Sequence, residues 1–147
     1  MTVHDLIGSR AEVYSIRDDA TVHDAARYLR ERQVRAVGVL NEGGQLAGVV
    51  SQSDISDRVA AENKCPAWMR VSEIMSTSLI TVTPDRSVAE CLGLIQQHSI
   101  YHLLVVDPNG GYLGMLSVAD LLTVIASDEK SRADLLEAFV MDGRATS

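Results

Sequence analysis

Gly48-Val49-Val50-Ser51-Gln52-Ser53-Asp54 returns 66 positions later as Gly114-Met115-Leu116-Ser117-Val118-Ala119-Asp120. Each copy reads as the end of an apolar strand, then a serine, then an aspartate three residues on, at the head of a new helix. The same shift lays Val22 on Val88, Val39 on Val105 and Gly44 on Gly110 without a gap. An ungapped match of this length is an internal repeat. It takes precedence over any single element, because repeated units share one fold and bury their apolar faces against each other.

Outward from that shared ending, the same elements come twice in the same order. Val13-Tyr14-Ser15-Ile16 and Leu79-Ile80-Thr81-Val82 predict short strands. Thr21-Val22-His23-Asp24 and Ser87-Val88-Ala89-Glu90 each set a hydroxyl three residues before a carboxylate. That is the capping-box pattern, in which each side chain satisfies the other residue's backbone N–H. Behind the caps, Val22, Ala25, Ala26 and Leu29, and likewise Val88, Cys91, Leu92 and Ile95, recur at helical spacing. Ala36-Val37-Gly38-Val39-Leu40 and Leu103-Leu104-Val105-Val106 are apolar enough for buried strands. Asn41-Glu42-Gly43-Gly44 and Asp107-Pro108-Asn109-Gly110 supply turns after them. Residues 46–50 and 112–116 predict the returning strands, with Tyr112 at the surface. The closing helices start at Ser51 and Ser117 and continue through Ile55 and Val59, or Leu121 and Ile125. Val3-His4-Asp5-Leu6-Ile7 resembles Val71-Ser72-Glu73-Ile74-Met75, a lead-in to each repeat at an offset of 68 rather than 66.

The fold class is therefore α/β (α+β), two β-α-β-β-α units in tandem. A three-stranded sheet with two helices cannot bury its apolar face alone, so the units are expected to pack face to face. Residues 1–66 form the first repeat with its lead-in and linker, residues 67–126 the second, and residues 127–147 a C-terminal helix and tail. In the tail, Ser131-Arg132-Ala133-Asp134 reads as a cap, Leu135, Leu136, Phe139 and Val140 as an apolar stripe, and Gly143 as a stop.

Composition narrows the function. At 147 residues and 46% hydrophobic, the chain has room for one domain with a proper core. A net charge of −7 argues against general attraction to nucleic acid or anionic lipid, which rely on clustered Lys and Arg. A small anionic ligand needs only a few local donors and is compatible with that charge. No apolar run approaches the roughly 20 residues of a membrane span. The first residues show no basic stretch followed by an apolar one, so no secretory signal is expected and the cytoplasm is the expected compartment. Cys65 and Cys91 are too isolated for a zinc or redox motif. His98 and His102 straddle a helix-to-strand boundary, and a metal site needs three or more converging ligands. With no Walker lysine and no nucleophile elbow, no catalytic residue and no metal is assigned, and the chain is not expected to be an enzyme.

The β-α-β-β-α order, the Gly-apolar-apolar-Ser-x-x-Asp ending and the tandem pairing resemble cystathionine-β-synthase (CBS) domains, two of which form a Bateman module. The resemblance covers residues 3 to 126. It implies repeats packed about a pseudo-two-fold axis, two equivalent clefts, disc-like homodimers, and a regulatory ligand such as AMP, ADP, ATP, NAD(H) or S-adenosylmethionine. Carried over residue by residue, one cleft would join Ser51, Asp54 and Arg35 with Thr83, Val88 and Tyr101 of the other repeat. The second would join Ser117, Asp120, Tyr101 and His102 with Arg17, Val22 and the backbone near Arg35. By this resemblance the aspartates accept from ribose hydroxyls, the basic side chains face phosphate, and Val22 and Val88 flank adenine. Several positions depart from the family: Gly38 and Leu104 replace a strand proline, Asp18 replaces the proline that Pro84 supplies, and Asn41 replaces the aspartate seen at Asp107. Two functions follow as expectations: a sensor that relays ligand binding to a regulated partner, or a ligand-free interaction module acting through dimerisation. On spacing alone, Ser51-x-x-Asp54 and Ser117-x-x-Asp120 are also plain helix caps.

Overall fold

In a computed structural model that describes residues 1–8, 13–127, 133 and 137, the apolar strands of the repeat form two separate three-stranded sheets. In the first, β1 (Ser15–Arg17) runs parallel to β2 (Ala36–Leu40), which pairs antiparallel with β3 (Leu46–Ser51). The second repeats this with β4 (Thr81–Val82), β5 (His102–Val106) and β6 (Tyr112–Ser117). The copies agree down to register: Val39 faces Gly48 as Val105 faces Gly114, and the ladder slips at Val39/Leu40 as it does at Val105/Val106. The turns between the paired strands close on Gly44 (φ 79°) and Gly110 (φ 88°), a conformation in which a side chain would be strained. The tail cap at Ser131, the stripe of Leu135, Leu136, Phe139 and Val140, and Gly143 lie outside the described residues.

The first strand of each sheet is shorter than its sequence suggests. Pairing with β2 begins only at Ser15, opposite Gly38, so Val13 and Tyr14 precede the strand instead of opening it. Thr81 likewise opens β4 opposite Leu104, leaving Leu79 and Ile80 outside the ladder.

Helices α2 (Val22–Arg32) and α4 (Val88–His98) start where their caps predict. Thr21 Oγ1 accepts from Asp24 N–H at 3.0 Å and Ser87 Oγ from Glu90 N–H at 3.1 Å. Glu90 also bonds the Arg86 guanidinium at 2.7 Å and the Ser87 hydroxyl at 3.2 Å. The first N–H of each helix is taken by a lead-in carbonyl: Val22 donates to Met69 O at 2.8 Å and Val88 to Met1 O at 3.1 Å.

Those two bonds expose a crossing that the sequence repeat conceals. The lead-in helix α1 (Val3–Ile7) packs on the second repeat: Val3, fully buried, lies in one core with Val82, Val88, Leu103 and Leu116. Its backbone is anchored there by Val3 N–H to Arg86 O and His4 N–H to Pro84 O, both 2.9 Å. The second lead-in, a 3-10 turn at Val71–Glu73, packs on the first repeat. Val71 and Ile74 are buried with Val22, Leu29, Val37, Val50 and Val59, and Val71 N–H donates to Ala20 O at 2.8 Å. Ser76 then pairs with Val49 through bonds of 2.8 and 3.0 Å. Each lead-in thus belongs in space to the other repeat's core, not to the repeat it precedes.

The closing helices differ. After the second sheet comes a regular helix, α5 (Val118–Ser127). After the first, α3 (Gln52–Ile55) passes at once into a π-helical turn, Ser56–Ala60, from which Arg58 Nη1 donates to Ile74 O at 3.1 Å. Tyr112 is not the surface residue its turn-flanking position suggests. It is half-buried between the sheets, against the one position of β2 that carries no side chain: a Cβ on Gly38 would sit 2.6 Å from Tyr112 Cζ.

A chain of residues 1–66 lacks Val71 and Ile74, whose burial is worth about 1.5–3 kcal/mol each. It is expected to show no sharp thermal transition by circular dichroism, whereas the full chain does; a cooperative monomeric melt of the fragment would contradict the crossed arrangement. Gly38→Val should displace Tyr112 and destabilise the full chain by about 1–3 kcal/mol in chemical denaturation, with partial recovery when Tyr112→Ala is added.

Candidate functional site

Ser51 and Ser117 are the last residues of β3 and β6 and also cap the helices that follow. Here the reciprocal box is complete. Ser51 N–H donates to Asp54 Oδ2 at 2.9 Å, and Asp54 N–H to Ser51 Oγ at 3.2 Å. In the second copy, Ser117 N–H donates to Asp120 Oδ2 at 2.9 Å, and Asp120 N–H to Ser117 Oγ at 3.1 Å. Each carboxylate is therefore held at a strand-to-helix corner. The next N–H of the helix is used to fasten the neighbouring strand: Gln52 N–H donates to Arg35 O at 2.9 Å and Val118 N–H to Tyr101 O at 3.0 Å. Arg35 and Tyr101, each just before an inner strand, must consequently stand beside the caps.

Both corners open on one cleft of about 1370 Å³. Its lining is itself repeated under the 66-residue shift: Ser51 with Ser117, Asp54 with Asp120, Arg35 with Tyr101, Ala36 with His102, Val13 with Leu79, Tyr14 with Ile80 and Val34 with Ile100. Ser51, Asp54, Arg35, Tyr101, His102, Ser117 and Asp120 all line this cleft, in two sets related by the repeat.

The other four candidates lie elsewhere. Val22 and Val88 are the first residues of α2 and α4 and are 0% and 6% exposed, each in the core under its own sheet. The helical spacing that marks them as apolar also turns them inward, away from the cleft. Arg17 is exposed and paired with Asp19 at 3.2 Å. The Thr83 hydroxyl is bonded to the Asp85 carboxylate.

In their place stand residues that the sequence reading put in strands. Val13 and Tyr14 line the first half of the cleft and Leu79 and Ile80 the second, because the first strands start late. The equivalence of 13 with 79 and 14 with 80 was the available signal. Tyr14 is held by its surroundings: its ring meets that of Tyr28 edge-on at 6.4 Å, the Arg32 guanidinium lies 3.7 Å above Tyr28, and Ser15 N–H donates to Tyr28 Oη at 3.2 Å.

The two halves differ in charge. Arg35 has an uncharged counterpart in Tyr101, and His102 has one in Ala36. His102 opens β5 opposite Ser117. Burial pushes its pKa below the usual 6.5; the Arg35 cation lowers it further, while the Asp120 carboxylate works the other way. The unfolded chain therefore holds more protons than the folded one between the depressed value and 6.5. Stability falls as pH drops through that window and is fully present above it. His102→Gln should flatten the stability–pH curve below the usual imidazole value of 6.5, read from denaturant midpoints; identical curves for both proteins would refute it.

Among the described residues no group of three or more His, Cys, Asp or Glu could hold a metal ion, and no helix is long and apolar enough to cross a membrane. The family profile described as CBS domain matches residues 3–61 and 71–127. Bacillus subtilis YhcV, a CBS domain-containing protein, is 31% identical over 84% of this chain and 86% of its own. The mitochondrial CBS domain-containing protein CBSX3 of Arabidopsis thaliana is 28% identical over 85% of this chain, which spans only 62% of that relative's length. A signal-transduction protein with CBS domains from Burkholderia ambifaria shares the fold with a TM-score of 0.80 at 28% identity, over 88% of this chain and 96% of its own. Two more distant structures share the fold over 93% and 86% of this chain and 99% and 97% of their own. They are PAE2072 of Pyrobaculum aerophilum, complexed with AMP (TM-score 0.79, 22% identity), and the CBS domain pair of MJ0100, complexed with 5′-methylthioadenosine and S-adenosyl-L-methionine (TM-score 0.77, 21% identity).

Proposed function

The chain belongs to the CBS-domain family, and we propose that it is a regulatory module whose cleft takes an adenosine-containing ligand and relays its occupancy to a partner protein. The observation that carries this is the pair of complete Ser–Asp boxes opening on one cleft beside Arg35 and His102. A carboxylate already fixed by its own cap is preorganised to accept from the vicinal hydroxyls of a ribose, each such bond contributing about 1.5–3 kcal/mol. Val13, Tyr14, Leu79 and Ile80 offer apolar walls to a base, and Arg35 offers a cation to phosphate. The adenosine compounds held by PAE2072 and by the MJ0100 pair support this ligand class.

AMP, ADP, ATP, NAD(H) and S-adenosylmethionine are the compounds to test. The relay uses a homodimer in the cytoplasm, formed through the helices that follow Ser51 and Ser117, where Leu122 is 40% exposed on α5. No catalytic step is part of this reading.

The test is thermal. A ligand at 100 times its dissociation constant should add about 2.7 kcal/mol of stability. Asp54→Asn and Asp120→Asn retain the cap while removing the charge, and should weaken binding roughly tenfold to a hundredfold. If no adenosine compound binds at millimolar concentration, the chain is an interaction module instead. If binding survives both substitutions unchanged, the aspartates are caps alone.

A further inference from the structure

The internal repeat supplies a comparison for the outer surface that a single domain would lack. Helix α4 packs beside α5 as α2 packs beside α3 and its π-helical turn. The buried sides of the two pairs are alike: Val22 and Val88, Ala25 and Cys91, Leu29 and Ile95, and Val59 and Ile125 are all core residues. The solvent sides are not. On α2, His23, Arg27 and Glu31 share one exposed face, with Arg27 paired to Glu31 at 3.5 Å. At the same places α4 exposes Ala89, Gly93 and Gln97. Asp57, exposed on the π-helical turn, becomes Thr123 on α5, whose hydroxyl donates to Ala119 O at 2.9 Å. Ser56 becomes Leu122, 40% exposed. The carboxylate flanking this face, Glu90 at the head of α4, is paired with Arg86 at 2.7 Å. Two repeats that share one fold need the same cores, so the fold does not account for what they show to water.

Gly93 sharpens the difference. A glycine inside a helix weakens it relative to alanine, because the unfolded chain has more freedom to lose. Its own helix aside, no described atom lies within 4 Å of the place where its Cβ would be, and its counterpart is the long side chain of Arg27. Nothing among the described residues requires a glycine there. A helix brought up from outside does, because the missing side chain lets two helix axes come closer together.

We propose that the α4–α5 face is where a second copy of this chain docks, second repeat to second repeat about a two-fold axis, with the α2–α3 face left in water. The inference rests on the homodimer proposed above and narrows it: of the two closing helices, the one after Ser117 carries the contact. Charge selects the copy as the occupant. In a two-fold contact the same patch is presented by both partners. Joined through α2 and α3, two copies would bring Arg27 and Asp57 into one contact with their own duplicates, and like charges brought together disfavour association. Ala89, Gly93, Gln97 and Thr123 bring no charge, so their face meets itself without that opposition. A strongly charged partner would find nothing on it to pair with.

The experiment gives the second repeat the residues that the first already carries at the same places, Gly93→Arg and Thr123→Asp, in the full chain. Mass is read by sedimentation velocity. Since Arg27 and Asp57 are accommodated at those positions of the same fold, both variants should keep the far-ultraviolet circular dichroism of the wild type. The expected result is a wild-type dimer at tens of micromolar, weakened about a hundredfold or more by each substitution. A variant carrying Arg27→Gln and Glu31→Gln should dimerise as the wild type does. A dimer that survives both second-repeat substitutions, or that only the Arg27→Gln, Glu31→Gln variant loosens, would overturn the inference and leave the homodimer standing. A monomeric wild type would overturn both; if Gly93→Arg then lowers its melting temperature, the face is covered by residues 128–147 of the same chain instead. The adenosine reading is decided by its own binding test and survives each of these outcomes.

Discussion

The bonds from Val71 N–H to Ala20 O and from Val3 N–H to Arg86 O tie each lead-in to the repeat it does not precede. What makes this arrangement necessary is the small size of the units. A sheet of three strands with two helices leaves apolar surface that its own chain does not cover. Val3 closes one core and Val71 with Ile74 the other, and the same segments satisfy the first N–H groups of α2 and α4 through Met69 and Met1. Packing and polar satisfaction are thus achieved by one crossing of the chain, which binds the repeats into a single structure.

That crossing also links the cleft to the linker. Asp54 heads α3, α3 runs into the π-helical turn, and Arg58 on that turn holds the Ile74 carbonyl. Ser76, two residues on, pairs with Val49 on the strand that leads back to Ser51. The second half has a regular helix where the first has a π-helical turn. π-Helical turns are uncommon and concentrate at functional positions. Together with the unequal charges of Arg35/Tyr101 and Ala36/His102, this makes the chain a pair of like folds with unlike chemistry.

On the proposed reading, the capping boxes at Ser51 and Ser117 serve folding and recognition at once. Each cap contributes about 1 kcal/mol to its helix with no ligand present. In doing so, the boxes at Ser51 and Ser117 fix a carboxylate at a corner on the cleft, the acceptor that the proposed function needs in place before a ligand arrives. The caps at Thr21 and Ser87 have the same spacing and lie outside that cleft. Spacing alone therefore cannot separate a cap that binds from a cap that only caps.

Much was legible in the chain itself. The 66-residue shift determined the element order, the two sheets, the turns at Gly44 and Gly110 and the family, because local propensity and apolar period depend on near neighbours. The family resemblance, rather than the shift, named Ser51, Asp54, Arg35, Tyr101, His102, Ser117 and Asp120, and all of them line the cleft. Only the tertiary structure decided that Val22 and Val88 turn into the cores, that Val13, Tyr14, Leu79 and Ile80 line the cleft instead, and that Tyr112 packs over Gly38. It alone decided which core each lead-in would join. Periodicity records which residues are apolar and how far apart they stand, but the hollow that receives them is made by strands and helices distant in the chain.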